Sequence, residues 1–154
     1  MSRSVIIIIL IGFIILITTS YFLLEKTPAY KPENQNANEE NIRINGIDLL
    51  VDIADEPNEQ AQGLSGKDKM AENKGMLFIF PQPLVASFWM KDMRFALDML
   101  WIDANSIIVG ITKNISPDTF PKTFQPPSPI KYVLEVNSGW SDRNKIKIRD
   151  LVSF

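Results

Sequence analysis

The chain contains no histidine and no cysteine. Ser-His-Asp triads, thiolate nucleophiles, iron–sulfur clusters and the usual zinc sites are therefore excluded. No disulfide can form, so cysteine usage leaves the redox character of the compartment unread. An excess of one charge is missing too: 16 Lys and Arg stand against 18 Asp and Glu, a formal net charge of −2. Nucleic-acid-binding domains carry a basic patch or stripe, and this balance gives no reason to expect such a partner. Gly63, Gly66 and Gly75 lack the Gly-Lys-Ser/Thr ending of a phosphate-binding loop. No internal repeat is visible. What remains for chemistry is carboxylates, Lys, Tyr and hydroxyls.

What is present begins with a long apolar run. Residues 5–24, VIIIILIGFIILITTSYFLL, carry no charge. Twenty helical residues span about 30 Å, the thickness of a bilayer's hydrocarbon core. The run is longer than a secretory signal's apolar region, and bulky Tyr21 to Leu24 follow the small Thr18-Thr19-Ser20 step,. Residues 1–24 are therefore expected to be a retained single-pass transmembrane anchor, with a cleaved signal as the alternative. Arg3 and the terminal amine favour a cytoplasmic N-terminus and an extracytoplasmic remainder. Residues 25–41 are polar and read as a flexible tether reaching on the order of 20–25 Å. The expected partner of residues 5–24 is the lipid bilayer of the cell membrane.

Residues 42–154 read as one globular domain. Asn45-Gly46 between apolar flanks signals a hairpin. Asp55, Pro57 and Gly63 frame one short helix. GMLFIF at 75–80 is too short for a typical helix and reads as a buried strand ended by Pro81-Gln82-Pro83. Further strands are expected at 87–91, 96–102, 107–111 and 131–136, with KIKIR at 145–149 as the last. Residues 115–130 hold five prolines and read as a long irregular loop,. The expected fold is mainly β: a compact antiparallel barrel or sandwich with one or two short helices, behind the transmembrane helix.

Five strings recur here in a fixed order: EQAQGLS at 59–65, GMLFIF at 75–80, FWMKDM at 88–93, ALDMLWID at 96–103 and YVLEVNSGW at 132–140. In that order and spacing they resemble the bacterial and archaeal family known as domain of unknown function 192, over about residues 42–151. The resemblance implies a small β-rich domain, often behind a signal or anchor, with no established biochemical activity. Members often carry Met where Ser65 stands, Asn-Thr where Asp92-Met93 stand, and Pro where Ala96 stands. An amide donates and accepts, whereas an ionised carboxylate only accepts.

The stretch SFWMKDMRFALDMLWID at 87–103 sets charges inside apolar bulk, which is costly unless they are paired. Asp98 shares its strand face with Leu100 and Ile102, so it needs donors: Lys91, Arg94 or backbone N–H groups at a bulge. Glu135 likewise interrupts an apolar strand, on the face of Val133. Trp101 reads as core, and Trp89 as the aromatic at a strand end where a ligand could stack. Met76, Met90, Met93 and Met99 offer soft thioethers, but interleaved with Leu, Phe and Ile they read as adaptable core filler, so no metal and no cofactor is expected. The expected site is a cleft where 87–98 meets the 132–140 strand, roofed by the proline-rich loop. There Trp89, Lys91 and Asp92 would engage a small polar or sugar-like ligand, supported by Asp98 and Glu135. Two alternatives stand beside this binding module. One is a hydrolase using Asp98 and Glu135 as acid and base. The other is a structural envelope domain whose loop 115–130 meets an unidentified protein partner.

Overall fold

The computed structural model describes residues 38–154. The apolar run at 5–24 and nearly all of the expected tether lie outside the described residues. Among the described residues no helix is long and apolar enough to cross a membrane.

The first strands form the expected hairpin. Strand β1 (Glu39–Ile44) and β2 (Ile47–Ala54) pair antiparallel around Asn45 and Gly46, both at positive φ (52° and 79°). That is the backbone a type I′ turn demands and the reason this dipeptide suits it. Strand β1 starts inside the expected tether: Glu39, Glu40 and Asn41 pair with Asp52, Val51 and Leu50. Polar side chains do not prevent this, because pairing uses the backbone and these three point to solvent,.

Helix α1 (Pro57–Gln62) follows. Its cap is Glu56 rather than Asp55: the Glu59 carboxylate accepts from the N–H groups of Asp55 (3.3 Å) and Glu56 (3.2 Å),. The crossover through α1 and residues 63–73 delivers strand β3 (Lys74–Leu84) parallel to β2, from Leu50 opposite Lys74 to Ala54 opposite Phe78. The expected antiparallel architecture thus contains one parallel pair: a connection of this length turns the chain through a full crossover instead of a tight hairpin,. Strand β3 also runs through Pro81-Gln82-Pro83, with a register break between Ile79 and Leu84 where proline's missing donor is tolerated,.

Strands β4 (Phe88–Trp89), β5 (Leu97–Ile102), β6 (Ile108–Ile115), β7 (Thr123–Phe124), β8 (Ile130–Asn137) and β9 (Val152–Ser153) complete the set, with helix α2 at Trp140–Arg143. Residues 115–130 hold more structure than a bare loop: a 3-10 turn at Pro117–Thr119 and β7, which pairs with β4 as a separate two-stranded ribbon. KIKIR at 145–149 is not a strand. Lys145 and Arg149 sit at positive φ, and only Ile146 is buried; its alternation mimics a strand while the backbone turns.

The main sheet has the order β6-β5-β8-β3-β2-β1-β9 and curls into a half-barrel. Its two ends are stitched by a bridge between Ile107 and Leu151, and by Val152 N–H donating to the Ser106 carbonyl (2.9 Å). The concave side encloses a first core built from Ile44, Leu77, Leu100, Ile102, Leu134 and Val136, among others. The convex side of β3, β5 and β8 carries a second core: Met76, Phe78, Met99, Trp101 and Val133, together with Leu64 and Met90 from the connecting segments. Strand β5, LDMLWI, is accordingly buried at all six positions. Each large aliphatic or aromatic side chain so buried contributes about 1.5–3 kcal/mol of transfer free energy.

Candidate functional site

The register of the central strands decides where the two carboxylates go. Asp98 pairs with Val136, and Met99 with Glu135. Cross-strand partners share a face and neighbours along a strand alternate. Asp98 therefore points to the first core and Glu135 to the second, through opposite sides of one sheet. They cannot flank a single substrate atom, so this pair does not furnish the acid and base of a hydrolase.

Asp98 is fully buried and fully used. Its Oδ1 accepts from the N–H groups of Asn114 (2.9 Å) and Gly139 (3.1 Å), and its Oδ2 from the N–H of Ser141 (3.1 Å) and from the Ser141 hydroxyl. Neither Lys91 nor Arg94 reaches it; Arg94 pairs instead with Asp68. The donor from Asn114 exists because β6 bulges opposite Asp98: Leu97 faces Ile115 and Met99 faces Thr112, so the two residues Lys113 and Asn114 stand opposite the single Asp98,. Asn114 adopts φ 54°, which asparagine tolerates better than most residues,. One carboxylate thus fastens β5, the β6 bulge and the start of α2.

Glu135 has the opposite surroundings. It is 4% exposed and forms no ion pair among the described residues; no side-chain oxygen there is both fully sealed and without a hydrogen-bond partner, so its carboxyl keeps a sliver of solvent contact, and desolvation dominates its surroundings. Desolvation pushes its carboxyl up to about 8, so at neutral pH it is mostly the acid, able to donate as well as accept,. Its flanking cross-strand neighbours are Met76 on β3 and Met99 on β5. Two segments roof this face. Asn137, one step further along the same face of β8, donates from Nδ2 to the carbonyls of Met70 (3.2 Å) and Ala71 (2.9 Å), pinning the 63–73 segment. That segment is tied to the 90–96 segment: Ser65 Oγ donates to the Lys91 carbonyl (3.0 Å), and Gly66 N–H to the Asp92 carbonyl (2.8 Å).

Lys91 and Asp92 therefore take part through their backbones, with side chains in solvent. Asp92 sits at φ 55°, a left-handed position open to Asn and Asp, which accounts for either residue at this turn,. Trp89 is 54% exposed and meets exposed Phe120 edge to face at 6.3 Å between ring centres. Trp101, by contrast, is core: 1% exposed, stacked edge-on against Phe88 (5.7 Å), with Nε1 donating to Thr112 Oγ1 (2.9 Å). The five expected site residues thus separate into Asp98 beneath the sheet, Glu135 above it, and Trp89, Lys91 and Asp92 along the outer rim. An open groove of about 360 Å³ lies elsewhere, between Leu49, Glu72, Trp140 and Arg143, and none of the five lines it. Asn137, Met70 and Gly66, which build the roof, carry no chemical signature that sequence reading would single out.

Similar folds exist among solved structures. A protein of Sinorhizobium meliloti 1021, provisionally named a transcription regulator, is 30% identical over 79% of this chain and 97% of its own, with a TM-score of 0.73. A protein of unknown function from Novosphingobium aromaticivorans DSM 12444 is 26% identical over 75% of this chain and 85% of its own, with a TM-score of 0.70. No functionally curated protein matches. Residues 40–154 match the DUF192 family, described as an uncharacterized ACR, and include all of the curled sheet but Glu39, with both carboxylates. The chain belongs to the DUF192 family.

Proposed function

We propose that the domain is a binding module, held outside the membrane by residues 5–24, that takes a small ligand on the convex face of β3, β8 and β5. Glu135 carries this reading. A nearly buried carboxyl without a counter-ion among the described residues is costly to ionise,. A ligand with a polar group facing it would supply a partner. The roof of 63–73 and 90–96 is the gate, and Trp89 at the rim gives apolar contact on entry. The net charge of −2 gives no reason to expect a nucleic acid as the partner,.

Native mass spectrometry of the purified full chain tests the proposal. A small molecule retained by the wild type and lost from Glu135→Gln is the expected result; equal retention, or none in either, overturns it. A second reading, contact with an envelope protein through the 115–130 loop, is favoured by the exposed Trp89–Phe120 pair, since Phe120 belongs to that loop. It predicts that Phe120→Ala loses a cross-linked partner while small-molecule retention is unchanged.

A further inference from the structure

The two cores differ in one residue type. The first is built of Ile, Leu, Val, Trp and Tyr and contains no methionine. The second contains Met70, Met76, Met90, Met93 and Met99, every methionine among the described residues. If methionine served only as filler for irregular gaps, both cores of one curled sheet would draw on it. Instead all five thioethers gather on the face that also holds the desolvated Glu135 carboxyl.

Their placement is specific. Met76, Glu135 and Met99 are directly paired across β3, β8 and β5, side by side on one face. Directly opposed Cβ atoms in such ladders are about 4.5–5.5 Å apart, so both thioethers reach the space over the carboxyl. Met90 and Met93 lie in the roof segment, with Met93 N–H turned back to the Met90 carbonyl (3.4 Å). This face thus brings together one potential negative charge and several neutral soft donors.

On the reading of this face as a binding site, we infer that Met76, Glu135 and Met99 hold a soft monovalent cation of the copper(I) type, with a roof thioether of Met90 or Met93 closing the coordination. Thioethers select Cu(I) over hard cations. One carboxylate with one monovalent ion gives a neutral unit, the arrangement that least penalises charge in a dry interior. Hard divalent ions would need several oxygens, and among the described residues no three acidic side chains converge,. The ion would also displace the proton that burial places on Glu135, so binding weakens as pH falls.

The test uses silver(I), a redox-inert stand-in for copper(I), in chloride-free buffer with the full chain labelled at the methionine methyl carbons. The expected result is saturation at one equivalent, with the NMR methyl signals of Met76 and Met99 moving most. Met76→Leu and Met99→Leu conserve volume, and their thermal melts check the fold. Each should weaken silver binding by about tenfold or more, as should Glu135→Gln. Shifts confined to Met70 and Met93, unchanged affinity in the folded leucine variants, or no saturation would each overturn the inference. If silver fails but an organic molecule is retained by wild type and lost from Glu135→Gln, the cation falls and the binding site stands. If neither binds, both fall.

Discussion

Asp98 and Glu135 point through opposite faces of one sheet from adjacent paired strands, yet they are handled in contrary ways. Asp98 meets three backbone N–H groups and a hydroxyl; Glu135 has no counter-ion among the described residues and desolvation dominates its surroundings. The first is a fixed joint whose every lone-pair direction is spoken for. The second is an open valence. Burial alone therefore does not distinguish scaffold from site; the number of partners does.

The two carboxylates differ most in their response to pH. The Glu135 carboxyl is raised from 4.5 to about 8 in the fold, so between those values the folded chain holds a proton that the unfolded chain has released. Stability attributable to it is complete below pH 4.5 and is lost as pH rises through about 8, at about 1.4 kcal/mol per unit,. Urea unfolding from pH 5.5 to 8.5 should show this decline in the wild type and a flatter profile in Glu135→Gln. An identical slope in both would place Glu135 among the satisfied carboxylates.

Asp98→Ala comes next. It strands three N–H groups and a hydroxyl inside the fold, at a cost of about 3–5 kcal/mol, read as a lower urea midpoint. A loss below about 1 kcal/mol would erase the contrast from the other side. Gly75→Ala is smaller. Its Cβ would lie 2.9 Å from the Glu135 carbonyl oxygen and 3.1 Å from Leu134. Prying β3 from β8 there should cost about 1–3 kcal/mol by chemical denaturation. Trp89→Ala should move the midpoint least, by less than about 0.5 kcal/mol, because the ring is more than half in solvent,.

Much of this architecture was readable from residue order. Asn45-Gly46 announced its turn, the apolar runs announced β3, β5 and β8, and the need of Asp98 for donors at a bulge followed from period two. The sides taken by the two carboxylates were not readable. Period two gives faces within a strand, but only the register of β5 on β8 fixes which face of one strand continues which face of the next,. The parallel β2–β3 pair was hidden for a related reason: nothing in residues 55–73 states the direction in which the crossover returns. Lys145 to Arg149 misled because alternation is necessary for a half-buried strand without being sufficient. The convergence of five methionines was invisible because 29 positions of sequence separate the first from the last.

One pairing has a bearing on how the domain is made. The outer edge of β1 is covered by β9, with Arg43 opposite Ser153 and Ile44 opposite Val152. A chain emerging from its N-terminal end presents that bare ribbon more than a hundred residues before its cover arrives. Closure of the curl is therefore a late, non-local event, and until synthesis delivers β9 the exposed ladder is a template for unwanted neighbours.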